Sequence, residues 1–172
     1  MAPRNAMGFT LIELMVGIAI VGILIMIALP NFTIWIQNTQ IRAGAEGILS
    51  GLQLARTEAV RRNVSVQLVL GNQTGWTVSL PSTAETIQSR TELEGSKNAT
   101  ATVTPGGANT VTFNGLGRVV GNADASPSIT QIDVDTAALA AADSRELRIV
   151  VGGGGNIRLC DPQVAAGDPR AC

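Results

Sequence analysis

The chain has no histidine and no tyrosine, only 3% aromatic residues, and just two cysteines. Without histidine there is no imidazole base, no Ser-His or Cys-His nucleophile pair and no histidine metal ligand. The remaining serines and acids form no catalytic or metal-binding constellation, so we expect no catalytic residues, no metal and no cofactor. An excess of charge of one sign is missing too. Twelve basic residues face thirteen acidic ones, a formal charge of −1, which argues against indiscriminate binding to nucleic acid. The run Gly152–Gly155 neither opens a helix nor carries a Lys-Ser/Thr pair. It reads as a turn and not as a phosphate cradle.

What the chain does have is GFTLIELMVGIAIVGILIMIALP at 8–30, preceded by the basic leader MAPRNAMG. Residues 9–29 are almost continuously apolar, with one carboxylate, Glu13. As a helix this run spans roughly 30 Å, about one hydrocarbon thickness. A carboxylate there costs about 2.5–3.5 kcal/mol on insertion scales, and an expense of that kind marks function. A secretory signal would have a shorter core and a small-x-small cleavage site; a plain signal anchor is the competing reading. Gly17 and Gly22 permit close helix packing but are common in any membrane helix.

GFTLIE resembles the class III signal of type IV prepilins and type II secretion pseudopilins. That resemblance implies that prepilin peptidase cuts between Gly8 and Phe9 on the cytoplasmic side and methylates the new Phe9 amine. It implies that Glu13, the fifth mature residue, meets a neighbouring subunit's N-terminal amine during assembly, and that Pro30 breaks the helix. A positive amine relieves the desolvation of a lone buried carboxylate, and a proline removes a donor and clashes one turn back.

Beyond Pro30 the chain reads as helical to about Arg62. Ile34, Ile41, Ala45, Ile48, Leu52, Ala55 and Ala59 form an apolar stripe, with Gln37, Gln40, Arg42, Glu46, Gln53, Arg56 and Glu58 opposite. Two helices divided at Pro30 are the alternative. From Val64 the period becomes two, and Gly71–Gly75 joins Val64–Leu70 to Trp76–Leu80 as a hairpin. Further strands are expected at 87–93, 99–104, 110–113, 118–120, 129–134, 145–151 and 156–160, separated by Gly, Asn and Pro turns. Residues 137–142 are a loop or one helical turn. The class is α+β, a type IV pilin-like long helix packed on an antiparallel sheet. Four segments result: leader 1–8, transmembrane and assembly segment 9–30, amphipathic segment 31–62, and periplasmic β-rich domain 63–172.

LQLARTEAVRRN at 52–63, TFNGLGR at 112–118 and RIVVGGGGNIRLCDP at 148–162 resemble the GspH/FimT/FimU group of minor pilins and pseudopilins. The resemblance implies a minor pilin of the type IV pilus, acting in the complex that primes assembly and sits at or near the tip. Its partners would be other minor pilins, the major pilin, prepilin peptidase and the inner membrane, with the assembled subunit at the cell surface. The alternatives are a type II secretion pseudopilin and a DNA-uptake receptor. The exported domain would lie in the periplasm, where a Cys160–Cys172 bridge persists and would pin the C-terminus; a redox pair lacks the Cys-x-x-Cys spacing. Some FimT-type pilins bind DNA through a C-terminal Gly-Arg-x-Arg motif. Here the matching residues are Gly155-Asn156-Ile157-Arg158, so Asn156 stands where the first arginine would be and contributes no charge. Arg148 and Arg170 lie nearby in sequence, yet all three arginines also suit solvated strand or loop positions. The departure at Asn156 favours a structural role over DNA binding.

Overall fold

A computed structural model describes residues 9–172, apart from the side chains of Ile27, Ala28 and Pro30. Its elements follow one order: α1 (Leu11–Arg62), then β1 (Val66–Leu70), β2 (Trp76–Ser79), β3 (Thr86–Arg90), β4 (Thr100–Thr104), β5 (Thr110–Phe113), β6 (Val119–Val120), β7 (Gln131–Asp135), β8 (Leu147–Val151) and β9 (Ile157–Cys160). Two compact units divide the chain, the first ending at Trp35 and the second running Ile36–Cys172.

The first unit is the apolar part of α1. Its leucines, isoleucines and valines are exposed along its length, and Phe32 stacks on Trp35 with ring centroids 5.7 Å apart. Although α1 is continuous as assigned, it counts as two arms, Leu11–Met26 and Asn31–Arg62, on either side of residues 27–30. Among the described residues no single helix is long and apolar enough to cross a membrane; the two arms together satisfy length and composition. Pro30 is one of the four residues between the arms, and its side chain lies outside the described residues.

In the second unit the helical stripe is the centre of the core. Ile41, Ala45, Ile48, Leu52, Ala55 and Ala59 are all fully buried, whereas Ile34 is only half-buried. They join Val66, Leu68, Val78, Val111 and Phe113 from the first strands and Ile132, Val134 and Ile149 from later ones in one cluster. Spacing of three, four and seven residues puts the helical members on one face, and the strand members alternate, as a period of two requires. Where α1 enters this unit the stripe gives way to amides. Asn38 accepts from Arg145 N at 2.8 Å and donates to Asp143 O at 2.9 Å, while Gln40 and Gln37 accept from the backbone N and side-chain amide of Asn98 at 3.0 and 3.2 Å.

Among the described residues nine strands form two antiparallel sheets, where one was expected. The first has the order β3-β2-β1-β5-β6 and the second β4-β7-β8-β9. The reason lies at the seam. β6 has two residues, and opposite it stands the glycine turn between β8 and β9; one backbone bond crosses, Val119 N to Gly153 O at 3.1 Å. Glycines with no side chains to pack do not extend a ladder. The first strand also begins later than expected. Asn63 adopts a left-handed conformation (φ 53°) after the helix, and Val64 remains exposed before β1 starts at Val66. Residues 137–142 contain turns and no helix.

Three helical glycines set how closely the first sheet approaches. A Cβ on Gly44 would lie 2.9 Å from Thr74 Cγ2, one on Gly47 would lie 1.2 Å from an Arg90 guanidinium nitrogen, and one on Gly51 would lie 2.7 Å from the Trp76 ring. The contacts differ in kind. Arg90 is the end of a flexible side chain, whereas Trp76 is buried. Gly51→Ala should therefore destabilise the fold by about 1–2 kcal/mol: overpacking of about 1–3 kcal/mol outweighs a helix-propensity gain of about 1 kcal/mol. Gly47→Ala should fall within about 0.5 kcal/mol of wild type, since Arg90 can swing aside. Thermal melts of the full chain in detergent would measure both; equal effects would remove this account of the glycines.

Candidate functional site

At the N-terminus, Gly8 lies outside the described residues. Phe9 is 85% exposed. Thr10 caps the helix: its Oγ1 accepts from Glu13 N at 3.3 Å, and its carbonyl accepts from Leu14 N at 3.2 Å. Thr10-x-x-Glu13 is thus a capping-box pattern, with the acid three residues after the cap and close to the positive end of the helix. Sequence reasoning assigned Glu13 a role and passed over Thr10, although the T-x-x-E spacing was in view. The arrangement places an exposed apolar residue, Phe9, and one acid at the head of an exposed apolar helix.

At the C-terminus, Cys160 and Cys172 are joined, with Cα atoms 5.1 Å apart. The closed segment folds back on itself. Asp161 N donates to Arg170 O at 2.8 Å, and Asp161 bridges to Ala171. Arg158, exposed on β9, donates to the Ala171 carbonyl, so it ties the end of the chain to the strand.

The other three candidates do not gather around Arg158. Arg148, on β8, stands opposite Cys160, two pairs from Val150–Arg158, so the two arginines share a sheet face. Yet Arg148 donates to the Asp133 carboxylate at 2.5 and 3.3 Å, which raises its already high pKa. Arg170 pairs with Asp168 at 2.9 Å; its hydrogen bonds hold the Asp168 carboxyl down at about 2. Asn156 belongs to the glycine turn. Its carbonyl accepts from Gly152 N at 2.9 Å, and its Oδ1 occupies the space a Cβ on Gly152 would need. The face is mixed, not cationic: desolvation, then Asp133, pushes the Glu146 carboxyl up.

A different convergence is present. The three segments that carried the subfamily resemblance meet at the end of α1. Arg56 Nε donates to Gly117 O at 3.2 Å. Gly155 (φ +84°) lies so close to Gly117 that a Cβ would stand 1.8 Å from the Gly117 carbonyl oxygen, and Gly115 abuts Asn63 in the same way. So Gly115 and Gly155 serve close approach of backbones, at positions where a side chain has no room, whereas Gly153 and Gly154 have room around them. In the last turn of α1, Glu58 accepts from Arg61 at 2.6 Å and Arg62 at 2.8 Å, and Arg62 also reaches Glu85 at 3.3 Å. The Arg61 and Arg62 hydrogen bonds lower the Glu58 carboxyl from 4.5 to about 2. Among the described residues no group of three or more acids, cysteines or histidines is arranged to hold a metal.

An exposed apolar helix with its acid near the start, leading into an α+β domain, defines a membrane-anchored, pilin-type subunit. The comparisons agree. Residues 4–29 match the prokaryotic N-terminal methylation motif. Residues 44–155 match the family described as type II transport protein GspH, and the chain belongs to that family. Its members are structural subunits of pili and related filaments, which in general interact with other pilins and with prepilin peptidase. Among solved structures, the type IV minor pilin FimU of Pseudomonas aeruginosa strain PAO1 shares the fold: TM-score 0.51 at 17% identity, over 73% of this chain and 95% of that one. A second crystal form of FimU gives TM-score 0.48 at 18% identity, over 73% and 99%. No curated protein matches the chain by sequence.

Two outcomes are expected. Opening the bridge by Cys160→Ser with Cys172→Ser should cost up to about 3 kcal/mol in the chain-entropy model, on a loop of this length. Because Arg158 still holds Ala171, the loss should stay near the C-terminus; amide exchange of residues 157–172 should rise while the α1 stripe stays protected. The second concerns acid. Glu58 has a folded-state pKa below its ordinary value, so its contribution is complete above about 4.5 and is lost as pH falls toward about 2. Denaturant midpoints measured between pH 7 and pH 2.5 should fall less steeply for Glu58→Gln than for wild type.

Proposed function

We propose that this chain is a minor pilin of the type IV pilus, a structural and non-enzymatic subunit of the complex that primes assembly at the pilus tip. The observation that carries the reading is GFTLIE with its methylation-motif match, at the head of a helix whose apolar residues are exposed. Exposed leucines and isoleucines over such a length need a bilayer or a bundle of like helices. Residues 1–8 are the leader, 9–30 the membrane and assembly segment, 31–62 the amphipathic segment, and 63–172 the periplasmic domain. The leader faces the cytoplasm and the precursor sits in the inner membrane; the processed subunit then joins the surface filament. There Glu13 faces the N-methylated Phe9 amine of a neighbour, which offsets the cost of an acid in an apolar bundle, and Pro30 sets the helix break.

The family's description favours one second reading, a minor pseudopilin of type II secretion. DNA uptake is not proposed. Arg148 and Arg170 are paired with Asp133 and Asp168, Arg158 is engaged with Ala171, and Asn156 brings no charge.

Intact mass of the chain from its host should correspond to N-methyl-Phe9 at the start, and Gly8→Val should leave it uncut. Glu13→Ala should insert into the membrane normally and fall about tenfold in sheared pili. A wild-type chain found uncut, or cut elsewhere, would overturn the reading. Recovery from secretion filaments and not from pili would select the pseudopilin.

A further inference from the structure

The turn between β5 and β6 holds a leucine outward. Leu116 is 77% exposed, yet its turn is strongly braced. Asn114 Oδ1 accepts from Leu116 N at 3.0 Å and from Arg118 N at 3.1 Å, and Asn114 N donates to Arg118 O at 2.9 Å. Gly117, at φ +72°, has its carbonyl held by Arg56 and packed against Gly155. An apolar group on a loose loop loses entropy when it docks; one on a braced turn has already lost it.

The surroundings continue the pattern. Val60, 51% exposed, lies beside Gly117, with its Cγ2 3.1 Å from where a Gly117 Cβ would stand. A groove of about 290 Å³ beside it is lined by Arg56, Thr57, Val60 and Arg61. Arg118, exposed on the turn, adds a third arginine to Arg56 and Arg61, with Glu58 the acid paired to Arg61, so the surplus stays positive; Arg62 turns away to Glu58 and Glu85. An apolar centre within a cationic rim complements an apolar socket rimmed with carboxylates. Nucleic acid fits less well. Leu116 and Val60 offer nothing to phosphates, and the patch contains no aromatic ring for a base to stack on.

We propose that Leu116 and Val60, ringed by Arg56, Arg61 and Arg118, dock the globular domain of a different pilin subunit, one with an apolar socket edged by aspartate and glutamate. The inference rests on the minor-pilin reading above and names the surface through which that subunit is contacted. Its place in the fold suits this use. Val60 is about 36 Å along the helix from Ile36, so the patch lies at the end of the domain away from where the chain enters from the apolar segment.

The test uses the full chain, expressed at native level in its host, with the photo-crosslinker p-benzoylphenylalanine at position 116. Position 93 serves as control, since Leu93 is also exposed (68%) but sits on the β3–β4 loop. Irradiation should yield an adduct from 116 and not from 93, identified by mass spectrometry as another N-methylated pilin crosslinked beside Asp or Glu. Arg118→Glu, which leaves the backbone bonds of the turn in place, should reduce that adduct about tenfold or more. Leu116→Asp should lower recovery in sheared pili to a similar extent with an unchanged melting temperature. An adduct with nucleic acid or a second copy of this chain, equal adducts from both positions, or no adduct would overturn the surface. Failure of the underlying reading looks different: wild type itself would then be missing from pili.

Discussion

Everything in the second unit depends on how closely one face of α1 meets strands from both sheets. The stripe from Ile41 to Ala59 is made of two residue sizes. Ile41, Ile48 and Leu52 fill space, while Ala45, Ala55 and Ala59 let the strands come near. Gly44, Gly47 and Gly51 extend that closeness toward Thr74, Arg90 and Trp76. Since dispersion falls off within fractions of an ångström, a helix held back by one methyl group would lose contacts along the whole stripe. Glycine inside a helix costs about 1 kcal/mol; the depth of packing it allows offsets that cost here.

The fold was legible in the sequence wherever a period was sustained. Six of the seven stripe residues named from spacing are fully buried, and the strands from Trp76–Ser79 to Ile157–Cys160 fall within the expected segments, except that β3 begins one residue early at Thr86 and β7 ends one residue late at Asp135. The division into two sheets was not legible. Alternation tells which face of a strand is buried, but not which ladder it joins. That choice is made by the shortness of β6 and by the bare backbone of Gly152–Gly155, and the glycine run on its own reads only as a turn. The late start of β1 has a similar origin, since a left-handed Asn63 is a local event that periodicity does not register.

Of the candidate sites, the disulfide was legible because both cysteines lie within thirteen residues of each other in a domain taken to be exported. The arginines were not. Whether an arginine is available depends on where acids stand across the sheet, and Asp133 is fifteen residues from Arg148 in sequence but opposite it in register. Thr10 shows the converse. Its role was present in T-x-x-E, but the likeness of the whole hexapeptide to a processing signal drew the reading to Glu13 alone. The two explanations are compatible. The Thr10 cap orders the first turn, and an ordered first turn restricts where Glu13 stands.

The two ends of the helical segment in the second unit are held by different chemistry, and this bears on what each can do. At the entry, Gln37, Asn38 and Gln40 are tied by amide hydrogen bonds to the loops at Asn98 and Asp143–Arg145, with all three side-chain oxygens engaged as acceptors. Such bonds are worth about 1 kcal/mol each and depend on direction, which suits a junction that must keep its angle. At the far end the ties run mostly between side chain and backbone: Arg56 to the Gly117 carbonyl, and Asn114 Oδ1 to Leu116 N and Arg118 N, with Val119 N to Gly153 O joining the two glycine-bearing turns. Glu58, Arg61 and Arg62 are engaged with one another. The side chains of Leu116, Val60 and Arg118 take no part in these ties, and all three are exposed on the braced surface.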